Sequence, residues 1–298
     1  MNSLRSGTAA NLAIAAALFV PCVGRAELAA HYALDEAFDT SGPAAETLGA
    51  NDGTLINPPD VVRGRPAPHA NLGTAYDFGL SGGIDLGTAA AVRPTDRFTM
   101  TWWMRPDTLN AFDRLYESLS GTADNGSGIR IDLASSGNQA RVLLRDGNGG
   151  SNTQLTHSLV LRNDGTWYFF ALRYDSGVGN GTAMKLTVLE NQAAATDADI
   201  AGATQSPGAL GTGPINIHNQ GAYIATDDPA GASPNDFGGG MDDIAIFTDG
   251  DGGGVLTDAQ LAQVFNEGAI ALADFRPPRS KALPRARQVV KRHRVTLS

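Results

Sequence analysis

Thiol chemistry is almost absent from this chain. Of its 298 residues one, Cys22, is a cysteine. That excludes a disulfide framework and any structural zinc site built on several thiolates. Histidines are few and scattered: His31, His69, His157 and His218 precede the last 25 residues, and none has the H-x-x-x-H spacing of a metal pair. They read as surface or internally satisfied side chains. No Gly-x-Ser-x-Gly elbow occurs, so a nucleophilic serine of that type is excluded. The glycine clusters do not lead a strand into a helix, which argues against a phosphate cradle. Positive charge is scarce in the body: residues 27–274 carry 12 basic side chains against 31 acidic ones, a net charge of −19. So acidic a surface excludes nucleic acid as partner and suits cations such as calcium. Beyond the N-terminus no apolar run is long enough to span a membrane.

What is present is globular. Hydrophobic residues make up 42% and charged residues 18%, and 36 glycines without a collagen period indicate many turns. A chain of this length buries roughly three quarters of its unfolded surface, so its core needs no staple.

The two ends differ from the body. Residues 1–26 read as a secretory signal: Arg5, then the apolar core Leu12–Val20, then small residues Gly24 and Ala26 before a cut at Glu27. Nineteen uncharged residues separate Arg5 from Arg25, long enough for an anchor, but Gly7, Thr8, Asn11 and Pro21 thin the run. Cleavage removes Cys22, which fits an oxidising location, secreted or on the cell surface. After cleavage no transmembrane segment is expected. From position 276 on, eight Lys and Arg crowd together with Pro277, Pro278 and Pro284 and without an acid. Residues 274–298 therefore read as a basic, disordered tail.

Between the ends the pattern is of short strands. Leu28–Leu34, Ala75–Phe78, Gly83–Gly87, Phe98–Met104, Ile129–Leu133, Ala140–Arg145, Leu155–Leu161, Trp167–Tyr174, Met184–Glu190, Pro214–Ile217, Ala222–Ala225 and Met241–Phe247 are separated by Gly, Asn and Asp. Within Phe98–Met104, Phe98, Met100, Trp102 and Met104 share one face and Thr99, Thr101 and Trp103 the other. Spacings near ten residues, without helical crossovers, predict an antiparallel sandwich over 27–273. One helix is signalled: Thr257 as N-cap, Gln260 completing a capping box, Leu256 stapling to Leu261, an apolar face of Leu261, Val264 and Phe265, and Gly268 as stop.

The order of motifs resembles the laminin G-like, or concanavalin A-like, jelly-roll domains of secreted bacterial proteins. The resemblance rests on Ala30–Glu36 as first strand, then Asp39-Thr40-Ser41-Gly42 and Asn51-Asp52-Gly53-Thr54-Leu55. It continues through Phe98–Met104, through Asp164–Ala171 (where Tyr168 replaces the usual His), through Gly239–Phe247, and into the closing helix at Leu256–Leu261. It covers about 28–270 and implies an all-β, two-sheet antiparallel jelly roll with one short C-terminal helix, a scaffold that hosts lectins, adhesion modules and glycosidases. Glycosidases on it set their carboxylates as E-x-D-x-E or E-x-D-x-x-E; here no two of the six glutamates stand four or five apart. The resemblance also implies a structural calcium between first and last strands, with Asp242, Asp35 and Asp39 as candidate ligands. On an alternating strand only one of Asp242 and Asp243 points inward. The run Asp249–Gly254 mimics an EF-hand start, but Gly253 and Gln260 stand where ligands are required, so it reads as a turn.

For a sugar ligand, exposed aromatics and planar polar groups are needed. Trp103, Tyr116, Trp167 and Tyr223 are candidate rings, with Trp102 and Trp167 assigned to the core. The polar loop 225–237, with Asp227, Asp228 and Asn235, is the expected rim. The sequence thus predicts a secreted, non-catalytic module binding an extracellular polysaccharide or a cell-surface protein, with calcium in support. A glycoside hydrolase or polysaccharide lyase on the same scaffold, and a structural surface or matrix protein, are the rivals.

Overall fold

The structure, a computed structural model, describes residues 26–36, 42–119, 127–146, 152–178, 183–207, 214–215, 221–227, 233–248 and 254–273. Residues 1–25 of the expected 1–26 signal, the 274–298 segment, Asp39, Asp228 and the 249–253 run lie outside them.

Among the described residues, fifteen strands and three α-helices follow in chain order. The strands are β1 (Glu27–Tyr32), β2 (Thr54–Ile56), β3 (Val61–Pro66), β4 (Thr74–Phe78), β5 (Gly83–Gly87), β6 (Arg97–Pro106), β7 (Arg114–Glu117), β8 (Ser127–Leu133), β9 (Ala140–Asp146) and β10 (Asn152–Thr156). Then come β11 (Tyr168–Asp175), β12 (Met184–Glu190), α1 (Asp197–Gly202), β13 (Thr204–Gln205), β14 (Ala222–Ile224), β15 (Gly239–Thr248), α2 (Asp258–Glu267) and α3 (Ala269–Ala273).

They form two antiparallel sheets. One has the order β10-β9-β8-β7-β14-β5-β2. The other runs β13-β12-β11-β6-β15-β4-β3, with β1 also paired to β15. First and last strands meet as expected, Tyr32 opposite Ile244 and Leu28 opposite Phe247.

The alternation of β6 explains the layers. Phe98, Met100, Trp102 and Met104 enter the core between the sheets, where Trp102 stacks on Phe170 at 5.1 Å. The opposite face is buried as well. Trp103, Phe169, Ala171, Ala245 and Phe247 form a second core with Leu261, Val264 and Phe265 of α2 and Ile200 of α1. The eight-stranded sheet is therefore covered on both sides, and its strands carry apolar residues on both faces.

Helix α2 has the ends its sequence signals. The Thr257 hydroxyl accepts the Gln260 N–H and the Gln260 side chain accepts the Thr257 N–H. Gly268 ends it at φ 86°, though its ψ of 164° is extended rather than left-handed helical. Helices α1 and α3 carry no strong sequence signal: α1 is capped by Thr196 and Asp199, an Asp in place of Glu or Gln.

Four strands were not legible: β2, β3, β7 and β13 are short or interrupted by Gly64, Pro66 and charges. The segment predicted at Leu155–Leu161 ends as strand at Thr156, because the His157 ring turns back to accept the Leu159 N–H and to bond the Ala203 carbonyl at 2.9 Å. Residues 214–215 form no strand, and 216–217 lie outside the described residues.

Candidate functional site

With the helices packed on one sheet, the outer face of the other is the one left open among the described residues. Its side chains are placed by register. A transverse row crosses five strands: Thr54 stands opposite Asp85, Asp85 opposite Tyr223, Tyr223 opposite Glu117, and Glu117 opposite Arg130. A second row places Arg114 opposite Asp132 and Asp132 opposite Arg141. A bulge between Arg114 and Tyr116 sends Leu115 and Tyr116 together into the core, which leaves Arg114 and Glu117 outward.

These groups form a closed ionic lattice. Arg130 donates Nε and Nη2 to Glu117 at 3.1 and 2.8 Å. Arg141 donates Nε and Nη2 to Asp132 at 2.7 and 2.5 Å. Arg114 joins the two pairs, reaching Glu117 at 2.7 Å, Asp132 at 3.1 Å and Asp227 at 3.2 Å. Paired donation of this kind fixes the guanidinium planes.

The rim hangs on the same arginine. The Arg114 N–H donates to the Asn235 carbonyl at 2.7 Å, and the Asn235 amide donates to Asp227 at 3.4 Å. Asp113 is buried beside this junction, and burial pushes its carboxyl up to about 6, with Asp236 adding to the rise. The structure thus brings Tyr223, Asp227 and Asn235 to one face. Tyr223 and Asn235 are partly exposed there.

Two predicted aromatic platforms are corrected. Trp103 is fully buried, its ring 4.7 Å from Phe265 and 5.0 Å from His69, because α2 lies on the strand face that alternation left open. It presents no surface to a ligand. Tyr116 is 2% exposed and donates its hydroxyl to the Val92 carbonyl. Trp102 and Trp167 are core, as expected. The lattice residues Arg114, Glu117, Arg130, Asp132 and Arg141 escaped the sequence reading. The alternation in Ser127–Leu133 places Arg130 and Asp132 on the polar face, but their partners follow from cross-strand register alone.

The other candidate lies where β15 changes partner. Along one edge β15 pairs with β4 through Gly239–Met241 and with β1 through Ile244–Thr248. Asp242 and Asp243 fall in the gap. Asp243 is at φ 46°, and the register with β6 shifts between Asp242 and Ala245. This bulge corrects the expected alternation: Met241 and Ile244 both face the inter-sheet core, and both acids are buried. Asp243 accepts from the Ala269 N–H at 3.1 Å and lies 2.7 Å from Nε2 of His31. Asp242 accepts the Asp243 N–H at 2.8 Å through Oδ1, while its buried Oδ2 has no hydrogen-bond partner among the described residues. Burial first, then the Asp243 and Asp35 charges, pushes its carboxyl up to about 9. Asp35 follows β1 and accepts the Thr74 N–H at 2.6 Å. Among the described residues no three His, Cys, Asp or Glu side chains are grouped closely enough to hold a metal by themselves.

Among the described residues, cavities of about 620 and 370 Å³ open at β12–α1 and at β3–β4. Neither includes a residue of the transverse rows. No helix among the described residues is long and apolar enough to cross a membrane.

Comparison with solved structures finds domain 4 of AbnA, an extracellular GH43 arabinanase of Geobacillus stearothermophilus, in complex with arabinotriose. It is 16% identical with a TM-score of 0.50, the likeness covering 80% of this chain and 98% of that one. The CBM40 of the Ruminococcus gnavus IT-sialidase, bound to α2,3 sialyllactose, is 16% identical at TM-score 0.44, covering 64% of this chain and 95% of that one. No curated protein matches the sequence. The family model described as the concanavalin A-like lectin/glucanases superfamily matches residues 78–250, from the end of β4 past the end of β15. That span is more than half of the chain and holds every residue of the two rows except Thr54, so the protein belongs to the concanavalin A-like lectin/glucanase superfamily.

Proposed function

We propose that this chain is a secreted, non-catalytic binding module whose ligand, an extracellular glycan, lies on the outer face of the seven-stranded sheet. The observation that carries the reading is the transverse row itself. A partly exposed aromatic, Tyr223, stands between Asp85 and Glu117 on a rigid sheet, with Asp227 and Asn235 at the rim. An aromatic ring flanked by planar polar groups matches the C–H faces and hydroxyls of a sugar. The arabinotriose complex of the structurally similar domain supports the reading. The signal-like residues 1–26 and the loss of Cys22 with them support the extracellular setting.

The same reading assigns a structural calcium to the β15 gap. The buried Oδ2 of Asp242, without a hydrogen-bond partner among the described residues, suits a hard cation that needs oxygen ligands. Asp242 and Asp35, with backbone carbonyls after β1 and with Asp39, would hold it, tying the first strand to the last.

Affinity electrophoresis through polysaccharide gels tests the binding role. Retardation that Tyr223→Ala weakens by about tenfold, at unchanged melting temperature, is the expected result. Release of reducing sugar from any of the polymers would replace this reading with the hydrolase one.

A further inference from the structure

Resting on the reading that the open sheet face is the binding face, we propose that this face selects uncharged polyhydroxyl glycans and rejects acidic ones. The state of its arginines points there. A carboxylated or sulfated sugar is recognised by a guanidinium or ammonium whose donors are available for paired bonds. The three arginines at the centre of this face are already engaged. Arg130 gives two donors to Glu117, Arg141 gives two to Asp132, and Arg114 divides its donors among Glu117, Asp132 and Asp227. Three cations and three anions make a set of zero net charge.

An acidic sugar would have to displace a carboxylate already held at 2.5–2.8 Å. Asp132 is fully buried and Glu117 nearly so. Expelling either would leave a buried charge without its partner, which is costly. The surroundings add to the exclusion. Asp85 stands directly beside Tyr223, and residues 27–274 carry a net charge of −19. Repulsion from such a surface acts over roughly 8–10 Å at physiological salt.

For a neutral sugar the same groups are favourable. The partly exposed Asp85 and Asp227 carboxylates accept hydroxyl protons, the Asn235 amide can donate or accept, and the Tyr223 ring takes a C–H face. None of these contacts needs a counter-charge on the ligand. Arg114 clamps Asp227, and this partly exposed acceptor meets the ligand while Glu117 and Asp132 stay buried beneath.

The full chain is run through gels containing arabinan, xylan, β-glucan or galactan, and through gels containing polygalacturonate, alginate or chondroitin sulfate. Tyr223→Ala and Arg145→Gln variants run alongside, the latter because Arg145 lies farther along β9 on the same face. The proposal expects retardation by a neutral polymer, weakened about tenfold by Tyr223→Ala and changed by less than about twofold between about 50 and 500 mM NaCl. Any retardation by an acidic polymer must then be indifferent to both substitutions, as binding through the basic 276–294 segment would be. Acidic retardation lost in either variant overturns the neutral selectivity while leaving the face as a binding site. Insensitivity of every polymer to Tyr223→Ala overturns the binding face itself.

Discussion

At the scale of single residues, the same chemical type plays opposite parts according to the layer it falls in. Trp103 and Tyr223 both sit on strand faces directed away from the inter-sheet core. Trp103 is sealed under α2, whereas Tyr223 remains partly exposed. Trp103→Ala should therefore cost about 3–5 kcal/mol in urea unfolding, the range for truncating a buried large aromatic. A loss below about 1 kcal/mol would mean that the helix layer is not packed on β6 in solution. Asp113 gives a pH signature. Its carboxyl is raised to about 6 in the folded chain, chiefly by burial, so the native state keeps a proton that the unfolded state has released. Stability should then fall as pH rises from about 4 to about 6 and stay level above that, by on the order of 3 kcal/mol at most. Asp113→Asn should flatten that portion of the profile in pH-dependent thermal melts; an unchanged slope would remove Asp113 as its source.

At the scale of elements, α2 shows how far local rules reach. Its capping box, apolar stripe and terminal glycine are all readable within twelve residues, and all are formed. Thr257→Ala removes the oxygen that accepts the Gln260 N–H and should cost about 1 kcal/mol, with Thr257→Ser restoring most of it. The helix is also tied to the sheet by charge: Arg173 on β11 donates to Asp258 in the first turn at 2.6 Å and to the Leu256 carbonyl at 3.3 Å. Strand β15 shows where local rules stop. Period-two alternation carried through Asp242–Phe247 assigns the two acids to opposite faces, but Asp243 at φ 46° adds a residue to the count. No periodicity in one strand reveals such a bulge, because it answers to the ends of β1 and β4 meeting on the neighbouring edge.

At the scale of the whole molecule, the chain closes on itself by pairing β1 with β15, some two hundred residues apart. The calcium proposal makes this closure conditional. A cation bound by the folded state alone stabilises it by RT ln(1 + [L]/Kd), about 2.7 kcal/mol at one hundred times Kd. Calcium added to metal-free protein should raise the melting temperature, and Asp242→Asn should abolish the rise. A protein shown to start without metal that melts identically with calcium and with chelator would remove Asp35, Asp39 and Asp242 as ligands.

The sequence by itself determined the class of fold, most of its strands and the closing helix, because alternation, turn residues and caps are properties of a few neighbouring positions; the meeting of first and last strands was implied by the resemblance to the jelly-roll family. It also placed Tyr223, Asp227 and Asn235 among the candidates for one site. The tertiary structure alone decided that Trp103 is core, that Asp242 and Asp243 are both buried, and that Arg114 links the rim to two ion pairs. Each of these depends on what stands across a strand or above a sheet. Register and layer cover join residues tens to hundreds of positions apart, and neither leaves a local trace in the sequence.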